Sequence, residues 1–171
     1  MKKVAVFGKP GSGKSTISKA LASVTKIPLH QLDSMLYKAN GDAVEKETFN
    51  AAHRDVLSND RWIIDGLGLM GSFNERLDAA DTLIYIDLPY TVSYWFVTKR
   101  LLKGLLIKPE GWPDGSSVLK GTLQSYKMLK LSPKFWNNAF ETRLNDMSNS
   151  KSVHIIKTTD DLNHFIERHV K

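Results

Sequence analysis

The string Gly8-Lys9-Pro10-Gly11-Ser12-Gly13-Lys14-Ser15 constrains this chain more than any other part of it. It matches G-x-x-x-x-G-K-[ST], the Walker A pattern, at every fixed position, and Thr16 follows directly. A short apolar, β-branched run at 3–8 precedes it and predicts a buried strand. After it, Ile17, Ala20, Leu21 and Val24 recur at helical spacing and predict a helix over 14–24. The residue types suit phosphate. Glycines adopt backbone angles that other residues avoid, and they let backbone N–H groups approach phosphate oxygens. A helix starting near Lys14 adds the positive end of its dipole. A lysine at position 14 reaches β- and γ-phosphates, and the Ser15 hydroxyl suits Mg²⁺. The expected phosphate cradle is therefore Gly8, Pro10, Gly11, Ser12, Gly13, Lys14, Ser15 and Thr16. An ordinary glycine turn before a helix would leave the run Gly13-Lys14-Ser15-Thr16 without a reason.

The rest of the chain alternates. Short strands are predicted at 27–32, 61–65, 82–87 and 153–157, and helices at 44–57, 73–79, 91–102, 134–147 and 160–170. Such alternation argues for a P-loop three-layer α/β/α fold with a five-stranded parallel sheet. The 171 residues, 42% of them hydrophobic, suit a single domain over 1–171. Between 103 and 133 the pattern breaks at Gly104, Pro109, Gly111, Pro113, Gly115 and Gly121. A long punctuated segment of this kind predicts a lid-like insertion, helical over 118–131. The absence of cysteine excludes disulfides and thiolate metal sites. No stretch approaches the roughly 20 apolar residues of a membrane span. The apolar run at the start ends at Gly8, so a cytoplasmic protein without export or membrane partner is expected. No guanine-reading Asn/Thr-Lys-x-Asp string occurs, which argues against a signalling GTPase.

The net charge of +6 is concentrated. Residues 99–143 hold nine lysines and arginines against Glu110, Asp114 and Glu141, which accounts for the whole excess. A solvated lysine-rich face is the plain explanation. A polyphosphate clamp and a nucleic-acid contact are the functional ones, and the phosphate-binding motif favours the clamp over nucleic acid.

The layout resembles the adenylate-kinase-like branch of nucleoside and nucleotide kinases. More narrowly, it is similar to the adenylate-kinase-related bacterial DNA topology modulation proteins. The matching strings are Lys9 to Ser15, Leu29-His-Gln-Leu-Asp33 with Tyr37 following, Trp62-Ile-Ile-Asp-Gly66, Asn74-Glu-Arg-Leu77 and Asp81-Thr-Leu-Ile-Tyr-Ile-Asp-Leu-Pro89. The likeness runs from the start to about Lys103 and more weakly beyond. It implies an adenylate-kinase-like fold with a lid and ATP with Mg²⁺ as cofactors, and it fixes no identity for the small-molecule acceptor. The sequence departs from adenylate kinases after Asp65-Gly66, where Leu67-Gly68-Leu69 replaces the acceptor-gripping Phe-Pro-Arg. The lid segment is rich in lysine instead of arginine, and lysine lacks the bidentate fork.

In open α/β sheets, ligands bind beyond the carboxyl ends of the strands. Asp33, Asp65 and Asp87 fall at predicted strand ends. Asp33 is expected beside the acceptor, as a catalytic base or, equally, as a helix N-cap. Asp65 is expected to hold Mg²⁺ with Ser15 and to border the acceptor, and is favoured for this over Asp87. Lys14, with Arg100 and Arg143 flanking the lid, would stabilise the transferring phosphoryl group. Arg76 would face the acceptor. Two functions are thus open: an ATP-dependent kinase, and an ATP-switched regulatory or DNA-topology-modulating module that applies its basic segment to nucleic acid.

Overall fold

A computed structural model describes residues 1–36, 42–106 and 118–170. Five strands form one sheet: β1 (Lys3–Gly8), β2 (Leu29–Gln31), β3 (Trp62–Asp65), β4 (Thr82–Ile86) and β5 (Ser152–Ile156). All pairings are parallel, in the order β2-β3-β1-β4-β5. Helices cover both faces, as an all-parallel sheet requires. They are α1 (Lys14–Thr25), α2 (Leu32–Leu36), α3 (Lys46–Ser58), α4 (Met70–Ala79), α5 (Tyr90–Leu106), α6 (Val118–Leu131), α7 (Asn138–Met147) and α8 (Thr159–Val170). The predicted P-loop three-layer α/β/α fold is the observed one.

The three central strands, β1, β3 and β4, are largely apolar runs because both their faces are buried, whereas the edge strands β2 and β5 are only partly buried. Along β1, Val4 and Val6 join a core with Ile17 and Leu21 of α1, Ile84 and Ile86 of β4, and Phe165 of α8. Ala5 and Phe7 point the other way, toward Phe49, Phe73 and Leu77. There Phe7 meets Phe73 edge-on at 5.3 Å and stacks on Tyr85 and Trp136 at 5.7 and 6.0 Å. Phe135, Trp136 and Phe140 are thus packed in this aromatic core.

Several boundaries differ from the sequence expectation. The strand predicted at 27–32 is only Leu29–Gln31 long, because the chain turns into α2 at the fully buried Leu32. The helix predicted from 134 is interrupted. A 3₁₀ turn, Ser132–Lys134, comes first, and α7 starts after Asn137, whose side chain accepts from the Phe140 N–H at 3.0 Å. Within the segment 103–133, α5 continues to Leu106 and α6 spans Val118–Leu131 as expected. Residues 107–117, which carry the centre of the predicted lid, lie outside the described residues. Among the described residues, no helix is long and apolar enough to cross a membrane.

Candidate phosphoryl-transfer site

The central strand β1 delivers the Gly8–Ser15 loop to the carboxyl edge of the sheet, between the ends of β3 and β4. Three of its glycines have positive φ: Gly8 at 146°, Gly11 at 68° and Gly13 at 88°. A side chain at Gly11 would place its Cβ 2.4 Å from the Ser93 carbonyl oxygen in the first turn of α5. Gly13 stands before α1 in a left-handed conformation, and its carbonyl receives the Thr16 and Ile17 N–H groups at 3.1 and 3.3 Å. Ser12 is buried, while Ser15 and Thr16 are exposed at the start of the helix.

Lys14 is the first residue of α1, and its ammonium donates to the Lys9 carbonyl oxygen at 2.8 Å. Burial holds its pKa below the usual lysine range. The charges of Asp65 and Asp33 oppose that shift and Arg100 adds to it. Asp65 ends β3 and accepts a hydrogen bond from Ser15 Oγ at 2.8 Å. Its other carboxylate oxygen is buried and accepts none. Burial raises the Asp65 pKa, with Lys14 and the Ser15 hydrogen bond countering and Asp33 reinforcing.

A hydroxyl and a carboxylate this close, with a buried oxygen unpartnered, fit Mg²⁺. That ion takes one or two protein carboxylates and completes its shell with phosphate and water. Among the described residues no group of three or more His, Cys, Asp or Glu is placed to hold a metal by itself. Asp87, the alternative carboxylate, is engaged in a salt bridge with the Lys9 ammonium.

Asp33 is the second residue of α2 and not the residue preceding it, so it does not occupy the N-cap position. It is exposed, and its charge acts on Lys14, Asp65 and Arg100. Arg100 lies on α5 and donates to Ser125 Oγ of α6 at 2.8 Å. Lys14, Ser15, Asp33, Asp65 and Arg100 therefore form one electrostatically connected group.

The other two arginines are engaged differently, Arg76 behind Asp65 and Arg143 against α4. Arg143, on α7, donates to Asn74 Oδ1 of α4 at 3.0 Å. Arg76 is 0% exposed. Its guanidinium donates to the Gly66 and Leu67 carbonyl oxygens, both at 2.9 Å, beneath the loop that follows Asp65. Burial lowers its pKa to about 10 against the favourable charge of Asp65. Burial, helped by Arg76 and Arg54, also brings the neighbouring His53 down to about 4, so that ring is neutral at physiological pH. The motif alone does not reveal Lys9, Asp87 and Tyr90 as a group. The available signal is that positions 9 and 87 each follow a strand end, on strands that the order of the sheet makes neighbours.

The raised Asp65 pKa has a testable consequence. Between the ordinary value of 3.8 and the higher folded value, the folded state holds more protons than the unfolded one. Stability therefore falls as pH rises through that window, and the ionised Asp65 is a liability at neutral pH. Asp65→Asn is expected to raise the melting temperature at pH 7, with the gain shrinking as pH drops toward 4. A gain that grew in acid would contradict this sign.

No family model matches the sequence, and neither does any curated protein. Solved structures do share the fold. Shikimate kinase from Acinetobacter baumannii, in complex with shikimate, aligns with a TM-score of 0.54 and 15% identity over 100% of this chain and 96% of that one. A gluconokinase from Sinorhizobium meliloti 1021 aligns with a TM-score of 0.50 and 14% identity over 99% and 89%.

Proposed function

We propose that this chain is an ATP-dependent kinase that transfers the γ-phosphoryl group of ATP to a small acceptor such as a nucleotide, nucleoside or similar hydroxylated molecule. The observation that carries this reading is the convergence of Lys14, Ser15, Asp65, Asp33 and Arg100 at the end of β1. A P-loop that only bound nucleotide would need no exposed carboxylate beside its lysine. The shared fold with shikimate kinase and gluconokinase structures is compatible with this reading, which rests on the site.

In this reading the backbone N–H groups of the Gly8–Ser15 loop and the N-terminus of α1 hold the phosphates. Lys14, held on the Lys9 carbonyl through one of its three N–H donors, directs its ammonium at the transferring phosphate. Ser15 and Asp65 hold Mg²⁺, whose chemistry when bound is to offset phosphate charge. Asp33 accepts the proton of the acceptor hydroxyl. Arg100 supplies a second cation at the same side.

The test combines binding and turnover. Mg²⁺-ATP at about 100 times its Kd is expected to stabilise the native state by about 2.7 kcal/mol, read as a higher melting temperature. ATP consumption is then screened over nucleosides, nucleoside monophosphates and sugars. With the acceptor found, Asp33→Asn is expected to lower turnover about 100-fold or more with unchanged ATP affinity. No melting shift with ATP, and no consumption with any acceptor, would refute the kinase reading. Reduced stability with normal turnover in Asp33→Asn would make Asp33 a structural residue.

A further inference from the structure

Lys9 occupies a variable position of the motif, one residue after β1, where a lysine would ordinarily extend toward phosphate or water. Here it is 2% exposed. Its ammonium pairs with Asp87, one residue after β4. The same ammonium sits 4.2 Å from the centroid of the Tyr90 ring, in the first turn of α5. The Tyr90 hydroxyl is buried and unpartnered. The Tyr85 side chain, near the end of β4, is hydrogen-bonded to Asp87. A buried ion pair is a weak source of stability, since desolvation offsets much of its attraction. What such a pair does supply is fixed geometry.

That geometry is specific. The β1–β4 ladder ends at the Gly8–Ile86 pair, and the Lys9–Asp87 pair extends it by side chains where backbone pairing stops. The carbonyl of the residue so anchored is the one on which Lys14 docks, at 2.8 Å. Gly11 lies against the Ser93 carbonyl in the same turn of α5. Helix α5 then runs on to Arg100, whose charge acts on Lys14 and is itself acted on by Asp33.

We propose that Lys9, through Asp87 and Tyr90, is a positioning residue of the nucleotide site, locking the phosphate loop to the β4–α5 corner and so setting Lys14 against Arg100. The inference rests on the ATP-binding reading above. It assigns Lys9 no phosphate contact and Asp87 no metal.

The experiment measures ATP affinity by calorimetry, with Mg²⁺ and again with EDTA, alongside melting temperature. Wild type is compared with Asp87→Asn and with the double variant Lys9→Met/Asp87→Asn. The double variant removes both charges, keeps most of the lysine stem volume over Tyr90 and leaves no buried charge alone. Asp87→Asn retains every side-chain volume and serves if the double variant does not fold. Both variants are expected to bind ATP about ten-fold or more weakly, because small displacements of a binding group are costly. The loss should be equal with and without Mg²⁺. Wild-type affinity in either folded variant overturns the proposal. So does a loss that vanishes in EDTA, which would make Asp87 a metal ligand. Tighter binding in Asp87→Asn would show Lys9 released onto phosphate and would also overturn it. A wild type that binds no ATP sinks the nucleotide reading itself, an outcome distinct from these.

Discussion

Replacing Lys14 with alanine is expected to lower phosphoryl transfer about a thousand-fold or more while the melting temperature stays close to that of the wild type. The activity loss follows from the chemistry. Phosphoryl transfer is governed by positioning and by charge stabilisation, and Lys14 is the cation at the mouth of the loop. The small stability effect follows from opposing contributions. Burial penalises the charged ammonium, which is why its pKa lies below the usual lysine range. Its attraction to Asp65 and Asp33 works the other way. Alanine removes both, together with a single hydrogen bond to the Lys9 carbonyl. Below the ordinary value of 10.5 and above the lowered folded value, the unfolded chain holds more protons than the folded one. Wild-type stability from this group therefore rises with pH through that window, and Lys14→Ala should lack the rise. Single-turnover assays with the identified acceptor and melting curves at neutral and alkaline pH check both halves. Wild-type turnover in the variant would remove the phosphate-loop assignment.

The sequence and the structure agree best where a residue's role is local. The Gly8–Ser15 turn is legible because its glycines stand at fixed spacing and take the positive φ angles such a turn requires. The central strands are legible because burial on both faces forces unbroken apolar runs such as Val4–Phe7 and Leu83–Ile86. Helix α6 falls at 118–131, the part of the punctuated segment that the sequence leaves open to a helix. Roles set by tertiary contacts are not legible. The apolar pattern puts Asp33 at a strand end, but buried Leu32 starts a helix one residue earlier. Arg76 reads as a surface or acceptor-facing arginine on an amphipathic helix. Only the fold reveals that two carbonyls of the Gly66–Leu67 turn come within its reach. Arg143 has no local signature that distinguishes the phosphate loop from Asn74 as its neighbour. Lys9 and Asp87 are 78 residues apart, and their pairing depends on β1 lying beside β4.

The same adjacency makes Gly8 the most sensitive backbone position of the loop. Gly8 has a φ of 146°, and a Cβ added there would lie 2.2 Å from the Ile86 carbonyl oxygen. Ile86 is its ladder partner on β4, fully buried, so the strand has no room to retreat. An alanine at this φ costs about 1–3 kcal/mol in backbone strain, and overpacking against a fixed backbone adds about 1–3 kcal/mol more. For a domain of this size each kcal/mol lowers the melting temperature by about 2–4 °C. Gly8→Ala is therefore expected to melt about 10 °C below wild type, the largest stability loss of the changes considered. Gly71 is the control: it lies in α4, where an added Cβ would meet nothing within 4 Å, and Gly71→Ala should leave stability unchanged or slightly raised. Thermal denaturation of the two variants side by side separates the effects. A Gly8→Ala protein that melted with the wild type would mean that the β1–β4 edge yields at the ladder's end. In that case the Lys9–Asp87 pair would have no rigid register to extend.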